Sequence, residues 1–89
     1  MTSMVISNTR PGTNVPFYAA PVEFVDYVQA NYITPGRLSV SAVFSEDGNT
    51  ASLEFNFTTE ADKEAYFADP VIQAEKAKKI AYNKENGIV

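Results

Sequence analysis

The sequence predicts an α+β domain in which an antiparallel sheet carries its helices on one face, in the order strand, helix, strand, strand, helix. Three observations lead there. A turn signal, Glu46-Asp47-Gly48-Asn49, lies between two β-rich runs, Leu38–Phe44 and Ala51–Phe57. Apolar residues recur at helical spacing before and after that hairpin. With 89 residues the chain is long enough for one core and too short for two.

Each element has its own local cause. Thr2–Asn8 is rich in β-branched residues, with Met4 and Ile6 alternating, and reads as a first strand that Pro11, Gly12 and Pro16 bring to an end. A first helix is expected over Pro21–Tyr32: Val25, Val28 and Tyr32 recur at helical spacing, flanked by Val22 and Phe24, and Pro21 suits the first turn. Thr34, preceding Pro35, is expected to leave helical angles, and Gly36 to turn the chain into the next strand.

A two-residue type I′ turn centred on Asp47-Gly48 would oppose Phe44 with Ala51, Ala42 with Leu53, Val40 with Phe55 and Leu38 with Phe57, an apolar face. The other face then opposes Val43 with Ser52, Ser41 with Glu54, Ser39 with Asn56 and Arg37 with Thr58, and is mostly polar. A one-residue slip would mix the two faces. Ala42 and Ala51 are expected to face the helices, leaving room for Leu53 and Phe44.

Thr59 reads as the cap of a second helix, with Asp62 three residues on. Pro70 breaks that helix, and Asp69 with Pro70 starts a longer one to about Asn83. On the longer helix Val71, Ala74, Ala77 and Ala81, beside Ile80, are expected to form the packing stripe, with Glu75 and Lys79 on the outer face. Gly87 is a stop signal, and Ile88-Val89 reads as the beginning of a last strand. The order is that of the ferredoxin-like plan.

Composition bounds function. A net charge of −4 argues against nucleic acid and anionic membrane as partners. There is no cysteine and no histidine, and no cluster with metal-ligand spacing, so neither a metal nor another cofactor is expected. The stretch MTSMVISNTR has no basic n-region and no long apolar run, and a cytoplasmic protein is expected.

The stretch TPGRLSVSAVFSEDGNTASLEFNFTTEADKEAYFADPVIQA resembles the antibiotic-biosynthesis-monooxygenase family of dimeric α+β barrels. The shared features are a Pro-Gly turn into a strand pair, an aromatic ending the second strand, and an acidic-Ala helix leading to a DP break. By element order the resemblance covers roughly Met4 to Ala77. It implies a homodimer closed through the second sheet face, carrying Arg37, Ser39, Ser41, Val43, Ser52, Glu54, Asn56 and Thr58, with Arg37 available to Glu54. It also implies a pocket between sheet and helices for a small aromatic ligand. Family members often carry a tryptophan where Phe57 stands and a histidine where Tyr66 stands. In the haem-degrading relatives an asparagine, that tryptophan and a histidine work together. Here Asn8, Phe57 and Lys76 hold those places, so haem turnover is not expected.

The pocket candidates are Tyr66, Asn8, Tyr27, Tyr32, Phe55 and Phe57. For Tyr66, Tyr27 and Tyr32 core packing with a wet hydroxyl competes with a ligand role. Phe55 and Phe57 are core residues that can still line a cavity, and Asn8 suits a strand end. Three functions remain open. The preferred one is a small dimeric barrel that binds a small ligand or a protein partner. The others are a cofactor-independent monooxygenase or isomerase acting on a quinone-like substrate, with Tyr66 and Asn8 at work, and a structural or regulatory accessory protein, viral in origin.

Overall fold

Alternation at the N-terminus and the two runs around the turn become three antiparallel strands, β1 (Thr2–Thr9), β2 (Leu38–Phe44) and β3 (Thr50–Phe57), in the order β1-β3-β2. The structure is a computed structural model describing residues 1–89. Three helices complete it: α1 (Val22–Val28), continued by a π-helical turn over Gln29–Ile33, α2 (Glu60–Ala68) and α3 (Pro70–Asn86). The architecture is α+β and compatible with a ferredoxin-like arrangement. The C-terminal Val89 exchanges two backbone hydrogen bonds with Thr9, at 2.7 and 2.9 Å, so a fourth strand is begun beside β1 and reaches one residue.

The hairpin register is the one that the hydrophobic pattern requires, with Phe44 opposite Ala51, Ala42 opposite Leu53, Val40 opposite Phe55 and Leu38 opposite Phe57. β1 joins it with Met4 opposite Phe55 and Ile6 opposite Leu53. The turn itself is not type I′. No residue other than glycine has a positive φ, so Asp47 cannot occupy that turn's first central position. Instead the Gly48 N–H bonds to the Ser45 carbonyl, and Gly48 alone, at φ 76°, takes the left-handed conformation. Side-chain hydrogen bonds select this wider loop: the Asp47 carboxylate accepts from the Ser45 hydroxyl at 2.6 Å and from the Asn49 N–H at 2.9 Å.

Thr34 also departs from expectation. It keeps helical angles (φ −58°, ψ −41°) although Pro35 follows, because its N–H bonds to the Gln29 carbonyl five residues back and holds the widened turn closed. The two later caps form as their residues dictate: Thr59 accepts from the Asp62 N–H at 3.1 Å and Asp69 from the Val71 N–H at 2.9 Å. Gly87, at φ 71°, closes α3.

The core gathers at one end of one sheet face. Val28, Tyr32, Leu38, Phe57, Tyr66 and Ile72 are its buried members, and Phe57 is fully buried. On α1 the inward residues are Phe24, Tyr27 and Val28, while Val22 and Val25 point to solvent. Ala42 lies on the helix side of the sheet but is exposed, because the helices cover the Leu38 end of β2 and not its middle.

α3 sits half a turn from its expected orientation. Ile72 and Glu75 are buried and Lys79, Tyr82, Asn83 and Asn86 are half-buried, whereas Val71, Ala74, Ala77, Ile80 and Ala81 are exposed. The polar inward side chains have partners there: Glu75 accepts from the Tyr18 hydroxyl, Tyr82 donates to the Pro16 carbonyl and Asn83 to the Asn8 side chain.

Phe57→Ala is expected to cost about 3–5 kcal/mol in urea unfolding, and Ala42→Leu to change stability by less than about 0.5 kcal/mol because nothing covers it. Similar costs at the two positions would contradict this division of the sheet.

Candidate functional site

The helix face of the sheet has two ends, and the hairpin end is covered by a loop and by α3 rather than by α1 and α2. Arg10, directly after β1, anchors that loop: its guanidinium donates to the Val15 carbonyl at 3.1 Å and to the Gly48 carbonyl at 2.8 Å, and lies 4.4 Å from the centre of the Phe17 ring. The Tyr82 hydroxyl donates to the Pro16 carbonyl at 2.6 Å and its ring packs on Tyr18, 5.5 Å between centres. Phe17 in turn leans on Phe44, at 6.2 Å and 49°. Two adjacent aromatics in a proline-bounded loop are thus folded down over the sheet.

Beneath them is a cleft of about 150 Å³. Its floor is Leu53, Ala51 and Phe44, its roof Phe17 and Tyr18, and its far wall Lys79 and Asn83 of α3, with Asn8 at the end of β1. The Asn83 amide donates to the Asn8 side-chain oxygen at 3.3 Å. Behind the roof, the Tyr18 hydroxyl donates to the buried Glu75 carboxylate, and Lys78 approaches the same group at 3.8 Å. That bond holds the Tyr18 proton in place, and the Tyr18 pKa lies above its ordinary value chiefly because of it. Burial pushes the Lys79 ammonium below the usual lysine range, and neither ion pair of the chain includes it.

Of the six sequence-derived pocket residues, only Asn8 lines this cleft. Tyr27, Tyr32, Tyr66, Phe55 and Phe57 belong to the core at the opposite end. Tyr66 stacks edge-on against Tyr32 at 5.0 Å and against Phe67 at 5.2 Å, which leaves no space beside its ring for a ligand. Tyr27 and Tyr32 both donate to one Asp69 oxygen, each at 2.6 Å. Burial, then the bond to Asp69, pushes Tyr32 up to about 12. Burial alone would raise the Asp69 carboxyl, but the two tyrosines and the Val71 and Ile72 N–H groups outweigh it and hold the group below the usual carboxylate range. These tyrosines are structural ligands of a carboxylate. Lys76 stands 5.9 Å from the Phe67 ring, away from the cleft.

Seven of the eight open-face residues stand on or beside the uncovered side of the sheet. Ser39, Ser41, Val43, Glu54 and Thr58 are exposed, and Ser52 and Asn56 half-buried. Hydroxyl pairs tie β1 to β3 there, Ser7 with Ser52 at 2.8 Å and Thr9 with Thr50 at 2.9 Å. Arg37 is the exception: it precedes β2 and turns toward the helices, donating to Asp62 at 2.9 Å and lying 5.0 Å from the Tyr32 ring centre. Glu54 is served by the Asn56 amide at 3.0 Å instead of by Arg37.

Sequence reasoning missed Phe17, Tyr18, Glu75 and Lys79. The legible signal for the first two was a pair of adjacent aromatics in a loop between Pro16 and Pro21. No group of His, Cys, Asp and Glu is placed to hold a metal ion, and no helix is long and apolar enough to cross a membrane. No protein-family model, curated protein or solved structure matches the chain.

Because the folded Asp69 carboxyl holds its proton less tightly than an unfolded one, its stabilisation is complete above the unfolded pKa, about 4, and is lost as pH falls through the lower folded value. Asp69→Asn is therefore expected to be less stable than the parent at neutral pH, with the difference in melting temperature shrinking as acid titrates the parent. A difference that stays constant from neutral to acid pH would show that the charge on Asp69 contributes nothing.

Proposed function

We propose that this chain is a small-ligand-binding α+β protein that works as a homodimer and does not catalyse a reaction. The observation that carries the reading is the cleft roofed by Phe17 and Tyr18. It combines apolar walls with a few convergent polar groups, which is the usual constitution of a small-molecule site. An enzymatic reading loses its two residues: Tyr66 is enclosed by other rings and Asn8 stands at the other end of the sheet. Of the two titratable groups that line the cleft, Tyr18 has its proton committed to Glu75, which leaves Lys79 without a proton-transfer partner among the lining residues.

The finer architecture belongs to the same proposal. The strand order β1-β3-β2, with Val89 beside β1, is the ferredoxin-like order with its last strand reduced to one residue. Kinship with the dimeric α+β barrels rests on that order of elements. The dimer would form through the open face, where Val5 and Val43 are largely exposed and the hydroxyls between β1 and β3 are already paired with one another. Groups that arrive paired cost less to bury.

A melting-temperature screen with fragments of one ring is expected to yield at least one compound that raises the transition by several degrees at saturation, since binding adds RT ln(1 + [L]/Kd) to stability. A screen without any such compound would overturn the ligand reading. Light scattering at micromolar concentration is expected to give twice the 9.8 kDa mass of the chain, and a value of 9.8 kDa would overturn the dimer.

A further inference from the structure

We propose that the cleft under Phe17 and Tyr18 is a site for a single-ring aromatic carboxylate, with its ring against Phe17, Phe44 and Leu53 and its anionic group on the Lys79 ammonium. The inference rests on the ligand-binding reading above and names the chemical class.

Size comes first. The cleft measures about 150 Å³, and an apolar cavity of about that volume accepts one benzene ring. The walls match a ring in kind as well, because Phe17 and Phe44, tilted 49° to each other at 6.2 Å, offer ring edges and faces to a third aromatic lying beside the pair.

Charge decides between a neutral ring and an anion. Lys79 is half-buried in the wall, and no carboxylate lies within ion-pair distance of it. The acid one turn earlier, Glu75, is taken by the Tyr18 hydroxyl and by Lys78. A cation held partly away from water without a counter-ion is unfavourable, and a ligand carboxylate supplies that counter-ion. The direction of the lysine's pKa shift agrees, since burial disfavours its charged form. The chain is acidic overall, with net charge −4, so long-range attraction does not explain an anion here and the local lysine must hold it.

The amides give the site a second polar point. Whichever way they are flipped, the single Asn83–Asn8 bond leaves one amino and one carbonyl function unspent beside the ring. The amino group can donate to a carboxylate oxygen, and the carbonyl can accept from a hydroxyl on the ring.

Calorimetric titration with benzoate and with benzamide, its neutral counterpart of nearly the same shape, tests the proposal on three forms of the protein. In the parent, benzoate is expected to bind at least about tenfold more tightly than benzamide, as loss of a charge-assisted hydrogen bond implies. Lys79→Met is expected to weaken benzoate by the same factor and leave benzamide unchanged. Its melting temperature should not fall, because a half-buried charge has been removed, and that checks its folding. Ala51→Leu fills the floor without touching the lysine, and is expected to weaken both compounds.

Equal affinity for the two compounds, unaltered by Lys79→Met, would overturn the anionic class while leaving the ligand-binding reading intact. Benzoate binding that depends on Lys79 but ignores Ala51→Leu would place the anion outside the cleft and overturn the site. Absence of binding by either compound would overturn the chemical class, and the fragment screen would then judge the ligand reading independently.

Discussion

One carboxylate decides where α3 goes. Asp69 takes the hydroxyls of Tyr27 and Tyr32 on one oxygen and the Val71 N–H on the other, so the end of the first helical segment and the start of the last helix meet at a single group. Pro70 forbids α2 from running on, and the Asp69 cap sets the new direction. At ~1.5 Å per residue, Lys79 and Asn83 lie about 15 and 21 Å beyond that cap. A small change of angle at Asp69 would carry them off the sheet, which is how a structural cluster governs a cleft at the opposite end.

The same sheet face serves two purposes along its length. At the Leu38–Phe57 end four rings, Tyr32, Phe57, Tyr66 and Phe67, interlock within 6 Å of one another in successive pairs and exclude any ligand. At the Phe44–Ala51 end α1 and α2 do not cover the strands, and a proline-bounded loop, held down by Arg10, Tyr82 and Glu75, covers them together with α3. A loop packs less completely than a helix, and the space left beneath it is the cleft. Small size helps to explain this partition: only eight of 89 residues are buried, so the chain can complete a tight core over part of the sheet alone.

Much of the fold was legible because independent local signals agreed. The strand register followed from alternation on both sides of the turn, and a slip would have mixed polar with apolar faces. Both caps and the break at Pro70 followed from short side chains whose chemistry is local. The turn type was not legible, since Asp47-Gly48 also suits a loop in which the aspartate bonds backward to Ser45 and forward to Asn49. Nor was the inward face of α3. Its alanines mimic a packing stripe, while the true inner residues, Glu75, Lys79 and Asn83, are polar because they meet Tyr18 and Asn8 and border a cleft. Polarity on the inner face of a helix is where patterning fails and where a site is to be sought.

The central claim is the location and chemistry of that site, and intermolecular nuclear Overhauser effects between bound benzoate and the protein test it most directly. The account predicts contacts from the ring protons to Phe17, Phe44 and Leu53, together with a shift of the Lys79 side-chain signals. Contacts to Tyr66, Tyr32 or Phe67, or a bound ligand without contact to Phe17 and Phe44, would contradict it.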